Sequence, residues 1–413
     1  LIAEKGLAEK GSGVFFRRPA NQTDDAKAEK DSRPSGDERP KSGDTNAQPN
    51  TRTGRNTNMS IKTALGLMSG TSADGIDAAI LVTDGESQLE VKGGITVPYD
   101  PEFQESLLLL AQAKSDEATI TRTAEQLTRL HANAVEQCCQ QAGMRLAQID
   151  VIGFHGHTIR HQPEQGITRQ IGDGPLLAQL TGRQVVYDFR TADVDAGGQG
   201  APLAPLYHRA VLGDRPGTHV VLNLGGVGNI TWISGDQIIA GDTGPGCGLL
   251  DLWVTTRTDL PFDEDGRIAL AGKVNSALVA KSLESIPYFQ EPFPKSADRF
   301  DFASIDVSEL SLEDGAATLC ALTVAAVAQA ARRLPVPADD CWVTGGGSHH
   351  PLMMRLLANH FPHVAAISEL GHREDMIEAE CFAWLAVRKL KGLPTSLPAT
   401  TGASAPIVGG VVA

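Results

Sequence analysis

The chain is poor in several things that would have pointed it elsewhere. It has six cysteines in 413 residues (Cys138, Cys139, Cys247, Cys320, Cys341, Cys381), with no CxxC pair and none of the density of a secreted disulfide scaffold. It has no run of about 18 consecutive apolar residues, the usual mark of a membrane span. It has no basic surplus either: 36 Lys and Arg stand against 50 Asp and Glu, for a net charge of −14. That balance disfavours a nucleic-acid binder, which needs a basic stripe to neutralise phosphates. Together these absences point to a cytoplasmic protein.

The charge is uneven. Residues 1–58 hold 11 basic and 9 acidic side chains and only six large apolar ones (Leu1, Ile2, Leu7, Val14, Phe15, Phe16). That is too little burial to offset the entropy of ordering so much backbone, so a disordered N-terminal extension is expected. Arg17-Arg18 is followed by polar residues rather than the apolar stretch of an export signal. Met59 precedes the first strand-like pattern and reads as a natural start. Residues 59–413 carry 25 basic and 41 acidic side chains. At 355 residues they exceed one ordinary core, and two lobes are expected, 59–215 and 216–413.

Within that body, apolar runs alternate with helical patterns. Thr63 to Met68 and Ile76 to Thr83 read as strands around a polar turn, Ser69 to Gly75. Residues 101–145 have helical spacing. Short strands at 151–154 and 184–187 lead into His155-Gly156-His157 and Asp188-Phe189-Arg190. About 157 residues after the first pattern, His219 to Leu224 and Asn229 to Ile233 flank a second glycine turn, 225–228, which hints at an internal duplication. A loop at 241–246, an Ala-rich helix from Asp314 to Arg333, a strand at 341–344, the run Gly345-Gly346-Gly347 and a helix from Glu378 to Leu390 follow.

Glycine and hydroxyl turns aim several backbone amides one way and suit phosphate oxygens. The candidate ATP-binding residues are Gly70, Thr71, Ser72, Ala73, Asp74, Gly75, Ile76 and Asp77 in the first turn, Gly225 and Gly226 in the second, and Gly345, Gly346 and Gly347, where a nucleotide can lie on bare backbone. Asp74 and Asp77 can hold Mg2+ through water. There is no P-loop and no protein-kinase HRD or DFG signature. Two phosphate-type hairpins followed by a glycine-ended strand are the ordered parts of a two-lobed, actin-like (ribonuclease H-like) α/β fold with an interdomain cleft. His155, His157 and His161 lack a Cys or carboxylate to complete a zinc site.

Gly66-Leu67-Met68-Ser69-Gly70-Thr71-Ser72-Ala73-Asp74-Gly75-Ile76-Asp77 resembles the opening motif of the anhydro-N-acetylmuramic acid kinases. The resemblance continues in order through 153–158, 170–173, 188–193, 197–203, 223–226, 242–246, 345–347, 378–386 and 401–404. It implies an ATP- and Mg2+-dependent sugar kinase that hydrolyses the 1,6-anhydro ring of its substrate while phosphorylating O6. It further implies Asp242 as general base, Glu378 as a catalytic carboxylate at the substrate, and His155, Asp188, Arg190, Asp193, Gln199 and Gly200 as sugar-binding residues. A homodimer is the commonest arrangement for such a protein.

Where the family has Gln, Asn and Asn, this chain has His157, Cys247 and His350, and 297–300 departs from the family's KSTGRE-like stretch. These departures are expected on substrate-side loops, which leaves a kinase of a different sugar, or a non-enzymatic actin-like nucleotide-binding protein, as alternatives. Because ATP and the lactyl sugar are both anions, moderate salt or Mg2+ is expected to strengthen binding to this acidic body.

Overall fold

The computed structural model describes residues 61–112, 115–297 and 299–413. The extension expected over 1–58, the start proposed at Met59 and the departure at Asp298 lie outside the described residues. The first half contains β1 (Lys62–Ser69), β2 (Gly75–Thr83), β3 (Leu89–Pro98), α1 (Pro101–Gln112), α2 (Glu117–Gln141), β4 (Val151–Gln162), β5 (Ile167–Ile171), α3 (Gly174–Thr181), β6 (Gln184–Tyr187), α4 (Thr191–Asp195) and α5 (Pro205–Leu212). The second contains β7 (Thr218–Leu224), β8 (Val227–Ser234), β9 (Gln237–Pro245), α6 (Gly248–Thr255), α7 (Arg267–Ala271), α8 (Ser276–Ser285), α9 (Leu312–Ala331), β10 (Asp340–Thr344), α10 (Pro351–Leu357), β11 (Val364–Ala366), α11 (Ile377–Lys391), α12 (Pro398–Thr401) and β12 (Val411–Val412).

Two sheets carry the same order. In the first, β3-β2-β1 is an antiparallel meander and β4 and β6 continue it in parallel to β1; in the second, β9-β8-β7 is the meander and β10 and β11 the parallel continuation. This repeated order is the duplicated actin-like α/β plan, one sheet per lobe.

Both faces of each sheet are covered, so the central strands read as nearly continuous apolar runs. Along β1, Leu65 and Leu67 face the core with Phe103, Leu107 and Leu127 from α1 and α2, while Ala64 and Met68 face the core that contains α11. Period-two alternation sorts them. Along β7, Val220 and Leu222 share a core with Leu319 and Val324 of α9 and Leu352 and Met353 of α10. α9, capped by Ser311, whose Oγ accepts the Asp314 amide (3.1 Å), is long and apolar enough to cross a membrane. Its apolar window is 72% buried inside this fold, which accounts for its composition as a core helix.

Helices and one strand cross the boundary expected between residues 215 and 216. α5 packs on β8 and β9, whereas α11 packs on β1, β2 and β4 and β12 pairs with β6. α5 and α11 thus each pack on the other half's sheet, and both meet in one core with Tyr207, Val221, Ile233, Phe382 and Trp384.

Candidate active site

The β1–β2 turn is tight. The amide of Ala73 donates to the Gly70 carbonyl (3.0 Å), and Ala73 itself is fully buried in a left-handed conformation (φ 54°). Gly75 is pressed against β3, since a Cβ there would lie 2.7 Å from the Val97 carbonyl oxygen. Thr71, Ser72 and Asp74 are exposed at the turn, and Ser72 Oγ donates to Asp74 Oδ1 (2.9 Å). Ile76 is a core side chain, so it and Ala73 can offer a nucleotide only backbone. Ser69 turns inward as well, accepting from Tyr99 Oη (2.9 Å) and lying 3.0 Å from His157 Nδ1.

Asp77 follows on β2, where Oδ1 accepts from Thr96 Oγ1 (2.6 Å). Burial raises its pKa to about 7; the Thr96 hydroxyl opposes this, and the charges of Asp74, Glu378 and Asp375 add to it. Uncompensated negative charge gathers here, and a cation relieves it.

The β7–β8 turn has only Gly225 and Gly226, and its carbonyls are occupied. Cys247 N donates to Gly225 O (2.6 Å), and the amides of Gly246 and Gly248 donate to Gly226 O (3.1 Å each). The third glycine run lies against the same hairpin: a Cβ on Gly345 (φ 77°) would sit 2.4 Å from Asn223 Oδ1, and one on Gly347 2.5 Å from Leu224 Cβ. Gly226 and Gly346 face open space.

Asp242 lies within β9, so the segment expected as a loop is the end of a strand, opposite Asn229. Strand pairing reaches Pro245 because Gly244 adopts φ 150° and Gly246 lets the chain pass Gly225 O, which a Cβ would approach to 2.1 Å. The Asp242 amide donates to Lys295 O (2.8 Å), Oδ2 accepts from Ala297 N (2.8 Å), and the carbonyl accepts from Tyr288 Oη (3.0 Å). Burial pushes its pKa up to about 7, against the opposing pull of the Ala297 amide, Lys295 and Arg190.

Glu378 stands in the first turn of α11. That helix can lie on β1 and β4 because Gly66 and Gly153 have no side chains: a Cβ would come 1.8 Å from Ala379 O at Gly66 and 2.0 Å from Phe382 O at Gly153. Glu378 is exposed, and desolvation by the protein around it raises its pKa, against the attraction of Arg190.

Arg190 joins the two acids. Its Nε donates to His155 Nε2 (3.0 Å), one of its Nη atoms donates to Gly200 O (2.7 Å), and its charge is felt by both Glu378 and Asp242. His155 Nδ1 lies 2.9 Å from Gly156 O, so both ring nitrogens are committed. His155, expected at the sugar, supports Arg190 in this structure. Asp193 is fully buried; Oδ1 accepts from Gly200 N (2.7 Å), and Oδ2 accepts from Thr401 Oγ1 (2.7 Å) and Ser396 Oγ. With no oxygen left over, it ties the 197–200 loop to the C-terminal segment. Asp188 (φ 53°) accepts from Thr191 Oγ1 (2.6 Å) at the start of α4. Gln199 accepts from Ser296 Oγ (2.8 Å).

The departures lie at several places in the fold, Ala297 among them with its amide on Asp242 Oδ2. His157 bonds Ser69 below the first turn, and Cys247 abuts the second. His350 is buried, accepting from Met353 N (3.4 Å) and lying 3.3 Å from Asp263 Oδ2. Sequence reasoning gave Tyr288 and Lys295 no role; the signal for Lys295 was the family's KSTGRE-like stretch, of which this chain keeps Lys295-Ser296. Among the described residues, no group of three or more His, Cys, Asp or Glu side chains is arranged to hold a metal by protein ligands alone.

Comparison with known proteins bears on the whole of this cleft. A curated anhydro-N-acetylmuramic acid kinase of Paramagnetospirillum magneticum is 47% identical over 352 residues, covering 84% of this chain and 98% of its own length. One from Rhizorhabdus wittichii is 45% identical over 357 residues, again covering 84% and 98%. Among solved structures, a ROK family glucokinase from Streptomyces griseus in complex with glucose and AMPPNP covers 78% of this chain and 99% of its own, at 14% identity and a TM-score of 0.40. The family model described as anhydro-N-acetylmuramic acid kinase matches residues 62–413. That span takes in both hairpins, β9 and α11, and the chain belongs to the anhydro-N-acetylmuramic acid kinase family.

Proposed function

We propose that this protein transfers the γ-phosphoryl group of ATP to 1,6-anhydro-N-acetylmuramic acid while water opens the anhydro ring, a step of murein recycling. The observation that carries the reading is that Asp242 and Glu378 both lie within the electrostatic reach of the buried Arg190, with the Asp242 pKa pushed up to about 7. A general base works best when its pKa lies near the working pH. Asp242 takes a proton from water as its oxygen bonds to C1; the C1–O6 bond breaks, and O6 bonds to the γ-phosphorus as ADP leaves. The proton then passes to solvent. Arg190 favours the ionised forms of Asp242 and Glu378 against the effect of burial, and Glu378 orients the sugar or the water.

The open faces at Gly226 and Gly346 suit phosphates and nucleotide, which no side chain there would obstruct. The first turn fits Mg2+: Asp77, crowded by Asp74 and Glu378, would hold it with Asp74, largely through water, as this ion prefers. When bound, Mg2+ neutralises charge on the transferring phosphoryl group. The same reading includes a cytoplasmic location, where ATP is supplied, and a homodimer, which light scattering tests.

The deciding assay follows ADP release and the 6-phosphorylated, ring-opened sugar. Turnover with the anhydro sugar is expected. Turnover with a plain hexose and none with the anhydro sugar would overturn the assignment.

A further inference from the structure

The acid at the centre of the cleft is gripped by a lysine that the chemistry above leaves unused. Lys295 is only 7% exposed. Its ammonium lies 4.1 Å from the centroid of the Tyr288 ring and donates to the Tyr288 carbonyl (2.9 Å). The Tyr288 hydroxyl in turn donates to the Asp242 carbonyl (3.0 Å). From the other side, Lys295 O accepts the Asp242 amide and Ala297 N donates to Asp242 Oδ2, both at 2.8 Å. Asp242 is therefore held at its amide, its carbonyl and its carboxylate by residues that the Lys295 ammonium pins together. Between them, Ser296 bonds Gln199 on the loop whose Gly200 carbonyl holds Arg190.

A buried ammonium with one carbonyl and one ring face for partners is poorly solvated. Burial pulls Lys295 down to about 8 and Arg333 of the second half adds to this, while Glu291 and Asp242 favour its charge. It remains cationic at neutral pH. Arg190 is the other cation facing Asp242, and Tyr288 faces Glu291 and Asp301 as well.

We propose that Lys295 is a positioning residue for the reaction: seated on Tyr288, it fixes residues 295–297 against Asp242 and supplies, with Arg190, the positive field in which that base ionises. This rests on reading Asp242 as the base. The test is the pH dependence of kcat for Lys295→Met, Lys295→Arg and Tyr288→Phe, with folding checked by thermal denaturation. Lys295→Met is expected to move the acidic limb upward by about one pH unit, which lowers kcat at pH 7 several-fold, roughly as the limb shift dictates, and to leave the KM for ATP unchanged. Lys295→Arg keeps the charge and should keep the limb, and Tyr288→Phe keeps the ring and carbonyl and should keep it too.

A limb that stays in place in a folded Lys295→Met variant would overturn the proposal, as would a limb that Lys295→Arg or Tyr288→Phe displaces as far as Met does. Should the Met variant not fold, the Arg variant decides: a retained limb supports the field and a displaced one overturns it. Asp242→Asn separates the two layers. If it keeps full turnover, the base assignment fails; if it loses turnover while Lys295→Met leaves the limb alone, only the role of Lys295 fails.

Discussion

The two sheets share a strand order, and in both the second and third strands of the meander meet two residues beyond the turn. In the first sheet that rung is Asp77 opposite Thr96; in the second it is Asn229 opposite Asp242. The carboxylate has changed strands. Both acids have pKa values raised to about 7, chiefly by burial. Their charged neighbours differ: Asp77 faces Asp74, Glu378 and Asp375, whereas Asp242 faces Lys295 and Arg190. One address in a duplicated plan thus places a buried acid among other acids in one half and among cations in the other. A bulge between Gly228 and Asn229, with no counterpart between Gly75 and Asp77, shifts the second rung.

The sharpest way to break this contrast is to neutralise each acid. Asp242→Asn should lower kcat by about 10^3-fold, within the range a positioned general base supplies, while ATP affinity and the melting temperature hold; ADP-release kinetics and calorimetry measure both. If turnover persisted, the second rung would be structural like its neighbours. Gly66→Ala tests the support of Glu378. A Cβ 1.8 Å from Ala379 O forces α11 off β1, and the expected loss is about 3 kcal/mol of stability by chemical denaturation.

Asp77→Asn should raise the Mg2+ concentration for half-maximal activity by about tenfold without lowering the melting temperature, because the crowding of Asp74, Asp77 and Glu378 is relieved. An unchanged Mg2+ requirement would erase the distinction between the two rungs. The pH profile comes next. Asp242 must be ionised to act, so turnover should fall about tenfold per pH unit below roughly pH 7, and a flat profile down to pH 5.5 would remove it as the base. Smallest of all, Gly226→Ala meets nothing within 4 Å and should change stability by less than about 0.5 kcal/mol. Its expected effect is on the KM for ATP, because the turn is read there as bare backbone beneath phosphate.

Much of this was legible in the chain. The strands around both turns, the Ala-rich helix and the helix bearing Glu378 fall within a few residues of the positions expected from apolar periodicity, since burial on both sides leaves little else for those runs to do. The types and loop settings of Asp193 and His155 suit a sugar, and only the tertiary structure gives them their partners, Ser396, Thr401, Gly200 and Arg190. Lys295 was missed because nothing local marks a lysine as buried.

By itself, the sequence determined the elements, the duplication, the glycines that let backbones touch and the identity of the acids. Local patterning and the absence of a Cβ act wherever the chain goes. Only the tertiary structure decided which acids crowd one another, which meet a lysine or an arginine and which hold loops together. Those outcomes depend on α11 crossing back onto the first sheet and on residues 288–297 closing over β9, contacts between segments far apart in sequence whose desolvation sets the protonation of what lies between them.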